Sequence, residues 1–117
     1  MRSLHLDITF ALAFLFCPVP AARSDDIDFS GDVRPVLARH CFKCHGPDDK
    51  ARKAKLRLDV RETALRGGRS GQSAIVPGKS DESELVRRIF ASEDGEVMPP
   101  PAAKNPLSDT DKQILRR

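Results

Sequence analysis

The residues with the clearest chemistry lie in one short stretch, Cys41-Phe42-Lys43-Cys44-His45. Two cysteines three positions apart, with a histidine directly after the second, form the attachment signature of a c-type haem. Each thiol can add to one vinyl group of the haem, and the two residues between them let one helical turn reach both vinyls. An imidazole nitrogen of His45 can then bind the iron. The stretch therefore predicts one covalently bound haem c, with Cys41 and Cys44 as thioether residues and His45 as the proximal ligand.

A CxxC pair has other uses. A thioredoxin-like redox motif lies in a βαβ pattern, and no such strands are visible in the sequence. A structural zinc site needs four ligands, but outside the motif the chain offers only His5, Cys17 and His40. We expect His5 and Cys17 to lie in a signal peptide, and His40 to be a surface histidine that points away from the side faced by His45. Haem attachment is therefore favoured over another metal.

Length and composition indicate one small domain. The chain has 117 residues, of which 39% are hydrophobic and 32% charged, with no Trp and no Tyr. Such a lean core often needs a metal or a crosslink, and a covalently held haem would supply a large apolar surface. The net charge of +3 is mild and its charges are interspersed, which argues against nucleic acid as a partner.

Residues 1–24 predict a secretory signal peptide, which leaves 25–117 as the mature domain. Its apolar run, Ile8 to Cys17, is shorter than the roughly 20 residues that span a bilayer, so no stable membrane span is expected. Small residues after the run allow cleavage after position 21, 22 or 24. Asp7, just before the run, is unusual in a signal peptide and leaves an uncleaved N-terminal anchor as the minority alternative. Export to the periplasm or cell surface suits a haem that is attached after export.

Helical periodicity places the cysteines on an apolar face. Ser30 or Asp32 suits the N-cap of a helix that begins near Val33, and Gly46-Pro47 would end it. Apolar residues on the i, i+3, i+4 pattern lead to both cysteines: Val33, Val36, Leu37, Cys41 and Cys44.

Three later helices are expected. A short one covers 60–65, with Asp59 as its cap. The next begins at Ser80 or Asp81, with Glu84 completing an Asp-x-x-Glu capping box. The last begins after Ser108.

The middle of the chain carries two patterns that suggest ligands. Ser73–Ser80 resembles a phosphate-binding loop, but that motif needs Gly where position 73 is Ser, and Pro77 removes an N–H; no nucleotide is expected. Asp48 to Arg57 is rich in Lys and Arg. We favour a solvated loop or helix face there, and keep as an alternative a basic rim that docks an acidic redox partner.

Met98 is the predicted second axial ligand. It is the only methionine besides Met1, and it stands in a polar loop before three prolines. A core methionine usually has apolar neighbours at regular spacing, whereas Met98 has only Val97. The prolines stiffen the loop, which suits a thioether held against the iron opposite His45. The alternative is a methionine near the haem edge, with the sixth position open or bound by water.

Five segments together resemble the cytochrome c domain of planctomycete type: DFSGDVRPVLARHCFKCHGPD, LRLD, AIVPGKSDESELVRRI, VMPPP and LSDTDKQIL. The resemblance runs from about Asp28 to the end. It implies an all-α, class-I-like cytochrome c fold of three to four short helices around one haem, with the roles of Cys41, Cys44, His45 and Met98 as above. It also implies the N-terminal part of a longer, multidomain protein. We therefore expect a chain that is truncated within its last helix.

The expected function is electron transfer by the haem, with no bond chemistry by the protein itself. The electron would pass to a redox partner protein or to a fused downstream domain. One alternative is a haem enzyme of peroxidase or oxidase type, which needs an open sixth site and distal acid–base residues. Another is a haem redox-sensing module of a larger protein, in which loss of Met98 on reduction would be the switch.

The lean composition generates a first prediction. The haem-free chain should be poorly folded, because the haem supplies much of the apolar surface on which the helices pack. Circular dichroism of haem-free protein checks this, and a near-native helix content would contradict it.

Overall fold

The computed structural model describes residues 26–117. The predicted signal peptide, with Cys17 and the possible anchor, lies outside the described residues. Within them the fold is helical and contains no strand, which confirms the all-α prediction. The α-helices are α1 (Arg34–His40), α2 (Phe42–His45), α3 (Arg61–Arg66), α4 (Glu84–Ile89) and α5 (Asp109–Arg116). Only Cys41 separates α1 from α2, so the two follow each other as one interrupted helix.

The first helix is entered through a π-helical turn, Phe29–Val33. Asp28, rather than the predicted Ser30 or Asp32, caps this turn by accepting a hydrogen bond from the Gly31 backbone N–H at 2.5 Å. Asp32 returns the interaction, because its carboxylate accepts from the Asp28 N–H at 2.9 Å. The predicted helix start near Val33 is otherwise confirmed, and its proline lies in the first turn of α1.

Two small clusters of buried side chains form the core. Leu37 is fully buried and packs with Leu58, Ala64 and Ala74. Val36, one residue earlier on α1, packs with Ile89 and Leu107. Because α1 contributes to both clusters, it joins the middle of the chain to the C-terminal part. Helices of four to eight residues are unstable alone, so this packing maintains them.

Of the caps predicted for the three later helices, the cap of α5 is confirmed and those of α3 and α4 are wrong. Ser108 caps α5 by accepting from the Asp111 N–H at 3.1 Å, as the sequence predicts. The predicted capping box of α4 is wrong: Ser80–Glu82 is a 3-10 turn, and α4 starts only at Glu84 without a side-chain cap. The side chain of Asp81 instead accepts from Arg116 at 3.0 Å.

The cap predicted for the short helix is also wrong. Helix α3 begins at Arg61 without a side-chain cap. Both carboxylate oxygens of Asp59 accept from Arg57 instead, at 3.1 and 2.6 Å. In the described part of the chain, no helix has the length and apolar character needed to cross a membrane.

Leu37 generates a second prediction. Leu37→Ala in the haem-loaded protein should lower the free energy of unfolding by about 2–5 kcal/mol, because it leaves a cavity where α1 meets the core. Denaturant unfolding measures this. Leu65→Ala, at a half-buried position of α3, is the matched control and should cost about 1 kcal/mol. Equal losses in the two variants would contradict the assignment of Leu37 to the centre of the core.

Candidate functional site

The cysteine motif occupies the junction of α1 and α2. Cys41 leaves helical geometry, with φ −123° and ψ −38°, yet its N–H still donates to the Leu37 carbonyl at 2.8 Å. Its own carbonyl accepts from Cys44 at 3.1 Å and from His45 at 2.8 Å. The motif is therefore one closed turn, in which the Cys41 carbonyl holds the backbones of Cys44 and His45.

The following segment is fastened directly to this turn. The Lys53 N–H donates to the Cys44 carbonyl at 2.7 Å, and the Leu58 N–H donates to the His45 carbonyl at 2.8 Å. Gly46 permits the close return of the chain, since a Cβ there would collide with the Phe42 carbonyl. Residues 53–58 thus fix the orientation of the turn that carries both cysteines and the histidine.

His45 has the environment of a neutral ligand. Burial lowers the pKa of its imidazole, and the backbone of Lys53 partly opposes the shift. Nδ1 is the single buried side-chain polar atom without a hydrogen-bond partner in residues 26–117. A neutral imidazole with a free ring nitrogen is the form that binds a metal.

The two cysteines are free thiols, and both are half-buried. Burial, helped by the nearby Cys44 thiol, raises the pKa of Cys41 to about 11. Cys41 is therefore protonated at neutral pH, and addition of its S–H bond across a vinyl double bond would give a thioether.

The structure brings all four predicted site residues to one cavity of about 420 Å³. This volume lies within the range of about 300–1,000 Å³ that is usual for ligand and cofactor pockets. Cys41, Cys44 and His45 line it from the α1–α2 junction, and Met98 lines it from the proline loop. Its apolar lining comes from core elements: Leu56, Leu58, Ala74, Leu85 and Ile89. Two thiols, an imidazole and a thioether around an apolar cavity fit a haem c.

A charged network, absent from the sequence predictions, holds the Met98 loop. The Met98 N–H donates to the Arg88 carbonyl at 3.1 Å. Glu84, which the sequence assigned to a capping box, instead accepts from Arg88 at 2.9 Å and from Arg87 at 2.7 and 2.6 Å. Arg87 reaches on to Glu96 at 2.7 Å, two residues before the methionine. The i+3 and i+4 spacing of the arginines from Glu84 was the signal that could have revealed this network.

His40 is less exposed than the sequence suggested. Its side chain is 10% exposed and also lines the cavity. Nδ1 lies 3.3 Å from the Asn105 carbonyl oxygen, and Nε2 lies 3.7 Å from the Asp111 carboxylate. Asn105 in turn donates to the Arg39 carbonyl at 2.8 Å. His40 therefore ties the end of α1 to the start of α5.

The described residues provide no ligand set for a structural zinc. In residues 26–117 no three side chains of His, Cys, Asp or Glu come together in a way that could hold a metal ion. A closed zinc site needs four such ligands. The CxxCH turn, its apolar cavity and the all-α fold instead define a protein of the c-type cytochrome class.

Comparison with known families agrees with this class. A sequence model described as planctomycete cytochrome C matches residues 41–102, which is more than half of the chain. The chain belongs to this family. The family implies covalently bound haem c and electron transfer rather than enzymatic chemistry by this domain, and cytochrome c domains are typically exported. No curated protein and no solved structure matches the chain.

The network around Glu84 generates a third prediction. Hydrogen bonds from Arg87 and Arg88 lower the pKa of Glu84 to about 2, from 4.5. Its contribution to stability is thus complete above pH 4.5 and is lost as the pH falls towards 2. In the haem-loaded protein at pH 7, Glu84→Gln should lower the free energy of unfolding by about 1–3 kcal/mol.

The pH dependence supplies the check on this prediction. The difference between Glu84→Gln and wild type, measured by denaturant unfolding, should shrink as the pH is lowered from 4.5. Glu82→Gln is the control: its exposed pair with Lys79 should contribute less than about 0.5 kcal/mol. A pH-independent difference would show that Glu84 does not act through its charge.

Proposed function

We propose that this chain transfers single electrons through one haem c, attached by Cys41 and Cys44 and ligated by His45 and Met98. One observation carries the proposal: these four residues line the same apolar cavity although 57 positions separate Cys41 from Met98. The haem, when bound, supplies an iron that cycles between the ferrous and ferric states.

The protein residues would hold the haem and ligate its iron. Cys41 and Cys44 would hold it in the cavity through thioethers, and the turn closed by the Cys41 carbonyl would direct the imidazole of His45 to the iron. The Glu84 network holds the Met98 loop on α4, so the thioether need not be repositioned when the charge of the iron changes. A coordination shell that stays unchanged keeps the reorganisation small, which favours fast electron transfer.

Haem-enzyme and redox-sensor functions remain the alternatives. An enzyme of peroxidase or oxidase type would need an open sixth site with an acid–base residue beside it. His40 lines the cavity, but its ring nitrogens face Asn105 and Asp111. A redox sensor would need a Met98 loop that is released on reduction, whereas the charged network ties this loop to α4. These contacts favour the electron carrier.

The setting of the protein is part of the proposal. The predicted signal peptide and the typical export of cytochrome c domains support export to the periplasm or cell surface. There the haem would exchange electrons with a redox partner protein or with a domain fused downstream.

Met98 generates a fourth prediction. Met98→Ala should abolish the near-red absorption band of the iron–thioether bond in the oxidised protein, and should open the sixth position to carbon monoxide in the reduced protein. Val97→Ala is the control, because it removes an apolar side chain from the same loop and should leave the band in place.

Two outcomes would contradict the proposed ligation. A near-red band that survives in Met98→Ala would exclude Met98 as the ligand. Fast, tight binding of carbon monoxide or cyanide by the unsubstituted protein would favour the haem enzyme. Recording the band and the ligation in both redox states separates the carrier from the sensor.

A further inference from the structure

The cavity of about 420 Å³ lined by Cys41, Cys44, His45 and Met98 is called the haem cavity below. A second cavity, of about 450 Å³, lies beside it and is lined mainly by cations. Two segments form it, residues 49–57 and residues 63–69. We call it the basic pocket, and its charged lining residues are Asp49, Arg52, Lys55, Arg57, Arg66 and Arg69. The sequence analysis favoured a solvated loop or helix face for residues 48–57 and kept a basic rim there as the alternative; the fold adds Arg66 and Arg69 from α3 and the loop after it.

The carboxylates near the basic pocket neutralise only part of its charge. Arg52 pairs with Asp49, and Arg57 pairs with Asp59 at 2.6 Å. Five cations against these two carboxylates leave an excess of three positive charges. The excess resides on three exposed side chains that have no hydrogen bond or ion pair within residues 26–117: Lys55, Arg66 and Arg69.

The basic pocket shares a thin wall with the haem cavity. Ala54 and Arg69 line both cavities. The Arg69 N–H donates to the Ala54 carbonyl at 2.7 Å, and a Cβ on Gly68 would come within 2.5 Å of that same carbonyl oxygen. At this point the wall between the two cavities includes two backbone segments in direct contact.

The backbone that presents Lys55 is unusual. Ala54 and Lys55 both adopt left-handed conformations, with φ of 54° and 53°, which residues other than glycine rarely occupy. Such conformations persist where the surrounding structure enforces them, and they cluster at binding sites. Here the turn is enforced by the Arg69–Ala54 hydrogen bond and by the Leu56 N–H, which donates to the Lys53 carbonyl at 3.1 Å.

We propose that the basic pocket docks a carboxylate-rich surface of an acidic redox partner, and so places that partner against the haem cavity wall. The inference rests on the proposed electron transfer. Arginine forks bind carboxylates in two-point geometry. The three unpaired cations are exposed, so a small anion would remain largely hydrated there, whereas a cluster of carboxylates on a protein gains from all three and from electrostatic steering.

A carboxylate-terminated monolayer on gold is the probe, and the haem-loaded protein is the sample. The test variant is the double substitution Lys55→Gln/Arg66→Gln, because both residues line the basic pocket and neither lines the haem cavity. The control is Lys104→Gln/Arg34→Gln. It removes the same charge from exposed residues, and Lys104 has the same left-handed φ, 51°, as Lys55.

Adsorption and electron transfer are measured separately at low ionic strength, by mass sensing and by voltammetry. The quantity compared is the protein concentration that half-saturates the monolayer. We expect this concentration to be about tenfold higher for the test variant than for wild type, and to be near the wild-type value for the control. Salt should remove the difference. The single variant Arg66→Glu, checked for native haem absorption, should fall at least as far as the double variant.

Three results would overturn the proposal. Equal coverage by the test and control variants would show that only net charge matters. Wild-type coverage by Arg66→Glu would exclude the basic pocket. Displacement of wild type by millimolar inorganic phosphate at constant ionic strength would assign the pocket to a small anion instead. Failure of the proposed function is a separate result. The protein would then adsorb normally, but voltammetry would show no reversible oxidation and reduction of its haem.

Discussion

Two backbone hydrogen bonds fix the orientation of the turn that carries Cys41, Cys44 and His45. The Cys44 and His45 carbonyls, which end a very short helix, accept hydrogen bonds from the N–H groups of Lys53 and Leu58. A helix of four residues cannot keep its own end groups satisfied. The 53–58 segment does so, and Leu58 continues from there into the buried cluster around Leu37. The orientation of the CxxCH turn is therefore set by the 53–58 segment and, through Leu58, by the core.

The part of the cavity lined by Met98 is organised by charged side chains. Glu84 holds two arginines, one of which carries the Met98 loop through its backbone carbonyl and the other of which reaches Glu96. A hydrogen-bonded network of this kind is costly to break in part, since any removed member leaves an unpaired neighbour. Backbone hydrogen bonds thus position His45, whereas the Met98 loop has one backbone hydrogen bond to α4 and additional side-chain ion pairs.

Local features of the fold could be read from the sequence, whereas the partners of its charged side chains could not. The CxxCH turn, the helix that begins near Val33 and the Ser108 cap each depend on neighbours a few positions away, and the structure contains all three. The caps assigned to Asp59 and Asp81 failed, because each carboxylate has an arginine partner that a capping pattern does not consider. For Asp81 that partner is 35 positions away.

The same contrast between local sequence features and long-range contacts applies to the candidate site. Met98 stood out by its isolation among polar residues and prolines, and the fold places it in the cavity with the CxxCH residues. The role of Glu84 and the convergence of Arg66 and Arg69 with the 49–57 segment depend on how the chain returns on itself. No periodicity in the sequence encodes that return.

Gly68 has a consequence for the rate at which an electron could leave the haem cavity. Electron tunnelling through protein weakens steeply with each added layer of atoms. At Gly68 the wall towards the basic pocket consists of two touching backbone segments, and a side chain there would force them apart. The absence of one methyl group therefore keeps these two backbone segments in contact, and with them a short tunnelling path towards the basic pocket.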